Sequence, residues 1–229
     1  MKESGEKHFA REVDPKHLWN ASGIIQQLLL ILIMGIAYFF VRMRISANPG
    51  EYPGFENWLQ SLHNLFRFPS PPAFLLRAVL IGVGSALLLL GLDTLAGFIR
   101  KKALSTWIHR SDCFLPLNRE QRNWAIAITL LGSFVEELLF RGFIFSAMLP
   151  VWNSWIWAAL ILSAVFSFLH AALQGFWASL WIFLISVLLC GFVVWGFSIY
   201  ELALIHISIN LMNLFVIPFL FAKTGDGRR

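Results

Sequence analysis

Two adjacent glutamates are followed one helical turn later by an arginine in the segment Glu136–Arg141. The surrounding run from Trp124 to Leu149 holds no other charged residue and is typical of a membrane-embedded helix. An ionisable residue at the centre of a spanning helix costs roughly 2.5–3.5 kcal/mol, against about 0.3–0.6 kcal/mol gained for each Leu or Phe. The three charged residues therefore either pair to hold helices together or take part in chemistry there.

The spacing of these residues suggests different roles for the two glutamates. Glu137 and Arg141 are i, i+4 neighbours with the glutamate first, the order that favours an ion pair on a helix. We therefore expect this pair to be structural and to fix the helix. Glu136 points about 100° away from Glu137 on an ideal helix, so it is left without that partner.

Polar groups are scarce in the rest of the apolar sequence, which makes their spacing informative. No Asp, Glu, Lys or Arg lies between Arg141 and Glu201. His170 comes near the end of one apolar run, and His206 and Asn210 lie in the last one. The i, i+4 spacing of His206 and Asn210 places the imidazole and the amide on one helix face.

These side chains could together hydrolyse a peptide bond. Hydrolysis needs a water molecule, a base, and donors aimed at the developing oxyanion. Glu136 is the best available base, and His170 would help to hold and polarise the water. His206 and Asn210 would supply the two oxyanion donors.

Composition places the site in a membrane. The chain is 58% hydrophobic and 14% charged, and its mean hydropathy of +0.68 is too high for an ordinary soluble domain. At 229 residues it has no room for a separate soluble module. The sequence predicts an all-α, polytopic membrane helix bundle of about six (six to eight) transmembrane helices. The six apolar runs are Ile24–Val41, Phe74–Ile99, Trp124–Leu149, Ser154–Leu173, Phe176–Gly196 and Leu202–Ala222.

The charge distribution predicts how the chain is divided. Residues 1–23 form a cytoplasmic N-terminal segment, and residues 24–123 form two spans and a basic cytoplasmic loop. Residues 124–222 form the bundle that carries the polar groups, and residues 223–229 form a cytoplasmic tail. Lys and Arg concentrate in the first segment, the loop and the tail, so the positive-inside rule puts both termini in the cytoplasm. The net charge of +5 is thus attributed to topology and not to nucleic-acid binding.

Straight spans would place these groups at different depths. Glu136 falls near the middle of its run, His170 near the cytoplasmic end of the fourth run, and His206 near the outer end of the sixth. A shared site therefore requires tilted, broken or re-entrant helices, or helix boundaries that differ from the apolar runs.

Three short motifs resemble those of a known family. Glu136-Glu137-x-x-x-Arg141, Phe166-x-x-x-His170 and His206-x-x-x-Asn210 occur in this order, each in its own apolar run. They resemble the motifs of the CPBP (Abi) intramembrane proteases, which include the type II CAAX prenyl proteases, over roughly residues 124–213. The resemblance implies an intramembrane glutamic endopeptidase or metalloendopeptidase. We expect a multi-pass protein of the bacterial inner (plasma) membrane, in contact with lipid, that acts on a protein or peptide substrate.

Two alternatives remain open at this point. Glu136, His170 and His206 could instead be metal ligands, an oxygen and two nitrogens with an open position for water, which suits zinc. No cofactor is required if the reaction depends on the glutamate, and no H-E-x-x-H motif is present. The other alternative is a non-catalytic membrane scaffold, or an immunity or transport protein, with the same fold.

Overall fold

The computed structural model describes residues 20–47, 50, 53–68, 73–99, 116, 118–152, 154–174 and 176–218. All regular secondary structure in these residues is helical, which confirms the predicted fold class. The helices are α1 (Ala21–Ala47), α2 (Pro53–Leu65), α3 (Ala73–Ile99), α4 (Arg119–Glu137), α5 (Trp155–Gln174), α6 (Phe176–Val194) and α7 (Ile199–Leu211). A π-helix, Leu138–Phe145, follows α4 and leads into a short α-helical turn, Ser146–Met148. A second π segment, Met212–Val216, continues α7.

Each of the six apolar runs forms a helix over its described residues. Among the described residues, three segments are long and apolar enough to cross a membrane: Ala21–Arg44, Phe74–Leu92 and Ile199–Val216. Two shorter apolar helices, Trp155–Ala171 and Ala178–Val194, accompany them. These lengths and compositions support an integral membrane protein. The orientation stays a prediction, because residues 1–19, most of the basic loop and the tail lie outside the described residues.

The helices differ in how deeply they are buried. In the most apolar window of each candidate span, 6% of residues are buried in α1, 17% in α3 and 44% in α7 with its π continuation. Large apolar side chains such as Leu29, Ile33 and Leu88 face outward, as expected next to lipid chains. α7 is therefore a central helix, and it packs mainly against α3 and α4.

The helix α2 was not predicted, because its residues lie between the first two apolar runs. Its buried residues Trp58, Leu62 and Leu65 follow helical spacing and form one apolar face. Gln60 and Asn64 lie on the exposed side. At 13 residues the helix is too short to span a bilayer, and its apolar face packs on the π segment Leu138–Phe145 and the turn after it.

A short turn sets where α7 begins. Gly196 has a φ of +83°, and its N–H donates to the Val193 carbonyl while the Phe197 N–H donates to the Phe192 carbonyl. This is a Schellman motif, which ends α6 and is accompanied by stacking of Phe192 on Phe197, with ring centroids 4.8 Å apart. Ser198 then caps α7 through a reciprocal capping box with Glu201.

The first turn of α7 is attached to α3 by a charged contact. The Arg77 guanidinium pairs with the buried Glu201 carboxylate and lies 4.6 Å from the centroid of the Phe197 ring. Further along both helices, Gly82 of α3 approaches Ser208 of α7. Because residue numbers rise together along the two helices, α3 and α7 are parallel, as the second and sixth of six alternating spans must be.

Gly82 allows the backbones of α3 and α7 to come into contact. A Cβ atom at Gly82 would lie 2.7 Å from the Ile205 carbonyl oxygen and 2.5 Å from Ser208 Cβ. Ala78 and Ala86, one turn to either side, are fully buried. Small residues at this spacing allow close helix contact in membranes, where packing drives association. The contact fixes the part of α7 that carries His206.

Candidate active site

The ion pair expected from the spacing of Glu137 and Arg141 is present. Arg141 Nη1 lies 2.9 Å from Glu137 Oε1, and both side chains are 0% exposed. Arg141 Nη2 also donates to the Ser186 hydroxyl of α6 at 2.8 Å, and its guanidinium carbon lies 5.0 Å from the centroid of the Phe166 ring of α5. Arg141 thus joins three helices around Glu137, which satisfies the rule that buried charges must be paired.

The glutamates lie where helix geometry changes. The π segment Leu138–Phe145 begins directly after Glu137, and such segments are rare and often occur at functional sites. The Ser146 hydroxyl donates to the Gly142 carbonyl inside this segment and accepts from Trp58 Nε1 of α2 at 2.9 Å. The Trp58 ring packs edge-on against Phe143, with ring centroids 5.7 Å apart. Helix α2 therefore supports the widened turn that follows the glutamates.

His206 lies between the two glutamates. Its Nδ1 is 2.8 Å from Glu137 Oε1, and its Nε2 is 3.8 Å from Glu136 Oε2. Because an ionised carboxylate only accepts hydrogen bonds, Nδ1 must carry the proton in that contact, and Nε2 faces Glu136. The two glutamates also differ in access to solvent, since the Glu136 side chain is 31% exposed and Glu137 is fully buried.

Asn210 is held by Ser133, a serine that lies outside the three sequence motifs. Asn210 Nδ2 donates to Ser133 Oγ at 3.0 Å, and Ser133 is 2% exposed. Ser133 precedes Glu137 by four residues on α4, and Asn210 follows His206 by four on α7. Ser133 therefore faces Asn210 while Glu137 faces His206, so the two helices are antiparallel here.

The predicted difference in depth between Glu136 and His206 does not occur. α7 begins at Ile199, three residues before the apolar run that was predicted for it. His206 therefore lies about two turns inside the helix. The antiparallel crossing of α4 and α7 brings it level with Glu136. The predicted start of the sixth helix was therefore wrong by three residues.

His170 lies at the edge of this group. Its Nδ1 is 2.8 Å from the Phe166 carbonyl oxygen of its own helix, and its ring centroid is 4.5 Å from that of Phe166. The His206 ring centroid lies 6.4 Å from the same phenyl ring. Phe166 is therefore the shared neighbour of the two imidazoles. In the described part of the chain, no ion pair joins His170 to Glu136 or Glu137.

The donors proposed for zinc do not form a metal-binding group in this structure. Within the described ranges, no three His, Cys, Asp or Glu side chains are arranged so that they could hold a metal ion. Glu136 and His206 are close, but both ring nitrogens of His206 already face carboxylates. Whether the reaction uses the glutamate alone or a metal stays a prediction.

Residues 119–212 match a protein family described as type II CAAX prenyl endopeptidase Rce1-like. This segment of the chain is similar to that family. It runs from the first residue of α4 to the first residue of the second π segment, and it contains Ser133, both glutamates, both histidines and Asn210. The match supports a CAAX-protease-like intramembrane endopeptidase in general. Comparisons with curated proteins and with solved structures gave no match.

Proposed function

We propose that the protein hydrolyses a peptide bond of a membrane-associated protein or peptide, with water activated by Glu136. The observation that carries the proposal is the contact of His206 with both glutamates, with Asn210 one turn further along the same helix face. This arrangement supports the proposal, because Glu136 would be the base and His206 and Asn210 would be the two hydrogen-bond donors.

Glu136 is better suited than Glu137 to act as the base. A general base must reach a water molecule, and a direct ion pair with a guanidinium makes a carboxylate a weaker base. Glu137 is fully buried, and its Oε1 accepts from both Arg141 and His206. Glu136 retains an exposed fraction of 31% and has no Arg or Lys partner among the described residues.

The reaction follows from these positions. Glu136 takes a proton from water as the water oxygen bonds to the carbonyl carbon, and the carbonyl oxygen becomes an oxyanion. His206 Nε2–H and the second Nδ2–H of Asn210 donate to that oxyanion. The protonated Glu136 then gives its proton to the departing amine nitrogen as the carbon–nitrogen bond breaks.

The charges of the site balance during this step. His206 must donate from Nε2 to the oxyanion while its Nδ1–H donates to Glu137. The imidazole ring must therefore be doubly protonated. Two carboxylates then face one imidazolium and one guanidinium, so no buried charge is left without a counter-charge.

His170 can orient the attacking water. Its Nδ1–H donates to the Phe166 carbonyl oxygen, so the neutral ring has a lone pair at Nε2. That lone pair can accept a hydrogen from water. A role as a water-orienting acceptor is compatible with its position next to Phe166, which it shares with His206.

The test compares Glu136→Gln with Glu120→Gln, an exposed glutamate in the first turn of α4. Purified protein in lipid nanodiscs is incubated with two internally quenched peptides, one ending in a farnesylated CAAX sequence and one identical but unprenylated. Glu136→Gln should lower the cleavage rate by roughly 10²–10⁴-fold, the usual contribution of a general base. Glu120→Gln should retain the wild-type rate.

Three results would contradict the proposal. Full cleavage by Glu136→Gln would show that this carboxylate is not the base. Activity that is lost with 1,10-phenanthroline and regained with zinc would replace the glutamate mechanism by a metal-dependent one. A wild-type protein that cleaves neither peptide, nor any of a set of transmembrane peptides, would favour the non-catalytic scaffold.

A further inference from the structure

Two facing helices carry polar side chains at matched spacing. Ser133 and Glu137 are four residues apart on α4, and His206 and Asn210 are four residues apart on α7. Glu137 bonds His206 at 2.8 Å and Ser133 bonds Asn210 at 3.0 Å. We call these four residues the polar ladder. The two proposed oxyanion donors form one side of it.

The ladder is enclosed by apolar packing, which restricts its geometry. Ser133, Glu137 and His206 are buried, and Val135 and Ile205 beside them are 0% exposed. A buried polar group that loses its partner cannot turn to water and costs about 1–3 kcal/mol. These three side chains are therefore confined to the orientations that their partners accept, and the half-buried Asn210 is held by its bond to Ser133.

Each contact fixes a property that matters for an oxyanion donor. Glu137 can only accept, so it fixes the His206 proton at Nδ1 and turns Nε2 towards Glu136. In the observed orientation Ser133 accepts one of the two hydrogens on Asn210 Nδ2 and leaves the other for a ligand. The contact holds the amide in place with a donor hydrogen available to an oxyanion.

A second set of contacts keeps Glu137 in place. The same Oε1 atom that accepts from His206 accepts from Arg141 at 2.9 Å, and Arg141 is held in turn by Ser186 of α6. The position of His206 thus depends on a chain of hydrogen bonds that crosses α6, α4 and α7. Glu137 and Arg141 therefore do more than fix one helix, which is the role that the sequence predicts for them.

We propose that Ser133 and Glu137 are positioning residues that orient Asn210 and His206 for oxyanion stabilisation, a role that rests on the proposed function. Neither residue touches the substrate. They hold the Asn210 amide and the His206 ring so that Nδ2–H and Nε2 can face the scissile carbonyl. Because misplacement by about 1 Å can cost 10²-fold in rate, their loss should act on kcat.

The kinetic test uses Ser133→Ala, Ser133→Thr and a matched control, Ser163→Ala. Ser163 is a fully buried serine on α5 that is outside the ladder. Ser133→Ala should lower kcat by up to about 10²-fold with KM changed less than about twofold. Ser133→Thr keeps the hydroxyl and should recover much of the rate. Equal kcat for Ser133→Ala and Ser163→Ala would overturn the proposal, as would a loss in Ser133→Thr as large as in Ser133→Ala when both variants fold.

A spectroscopic test does not depend on catalysis. Protein with ¹⁵N-labelled histidine is studied by NMR in nanodiscs, and the His206 signals are assigned by their loss in His206→Asn. Wild-type His206 should be protonated at Nδ1, and Glu137→Gln should shift that signal. A wild-type His206 protonated only at Nε2 would overturn the proposal.

These outcomes separate the two proposals. Unchanged cleavage by Glu136→Gln would reject the proposed function, whatever the ladder variants show. Normal kcat in both Ser133→Ala and Glu137→Gln, in an enzyme that Glu136→Gln inactivates, would reject only the positioning roles.

Discussion

Replacing Gly82 by alanine should damage the site from a distance. Gly82 lies on α3 and belongs to none of the sequence motifs, but an added Cβ would meet Ser208 Cβ at 2.5 Å and the Ile205 carbonyl oxygen at 2.7 Å. One of these contacts is backbone, so no side-chain rotation can relieve it. Gly82→Ala must therefore push α3 and α7 apart.

The size of the effect follows from the overlap. Carbon atoms in contact normally lie about 3.5–4.0 Å apart, so the helices must separate by roughly 1 Å. Overpacking of this kind costs about 1–3 kcal/mol of unfolding free energy. His206 lies between Ile205 and Ser208 on α7, so the same shift should displace His206 relative to Glu136. We expect a loss of peptidase activity of about 10²-fold.

The assay measures thermal unfolding in detergent and cleavage in nanodiscs for Gly82→Ala and Gly84→Ala. Gly84 is on the same helix, and a Cβ there would have no neighbour within 4 Å. Gly84→Ala should leave activity unchanged and be at least as stable, because alanine favours helix over glycine by about 1 kcal/mol. Adding Ser208→Gly to Gly82→Ala should recover part of the loss, since the contact with the carbonyl remains. If Gly82→Ala behaved like Gly84→Ala, the close approach of α3 and α7 would be refuted.

Three further substitutions test the elements around the site, each by thermal unfolding in detergent. Trp58→Phe keeps a ring against the π segment but removes the donor to Ser146, and should cost about 1 kcal/mol; an unchanged stability would show that α2 does not support that segment. Ser198→Ala removes the cap of α7 and should also cost about 1 kcal/mol, and a neutral result would mean that the capping box is not formed. Arg141→Met strands the buried carboxylate of Glu137 and should cost about 3–5 kcal/mol, whereas adding Glu137→Leu should restore much of the loss. A double variant no more stable than the single one would contradict the buried ion pair.

The apolar runs determined most of the fold. A run of about twenty apolar residues can satisfy its backbone in a membrane only as a helix, so helix positions follow from composition. The amphipathic helix α2 was missed because it is short and its apolar residues are spaced along one face. The start of α7 was placed three residues late, because its cap, Ser198 with Glu201, is polar and lies outside the apolar run.

The sequence by itself also determined which residues could do chemistry, since charged and polar side chains are costly in a membrane and few are present. The spacing of Glu137 and Arg141 predicted their ion pair, because i, i+4 contacts are local to one helix. Only the tertiary structure decided that Glu137 also holds His206, that Ser133 holds Asn210, and that Phe166 contacts the rings of both His170 and His206. These contacts join residues far apart in the chain, and they depend on helix direction, on the depth at which each helix starts, and on the close approach permitted by Gly82.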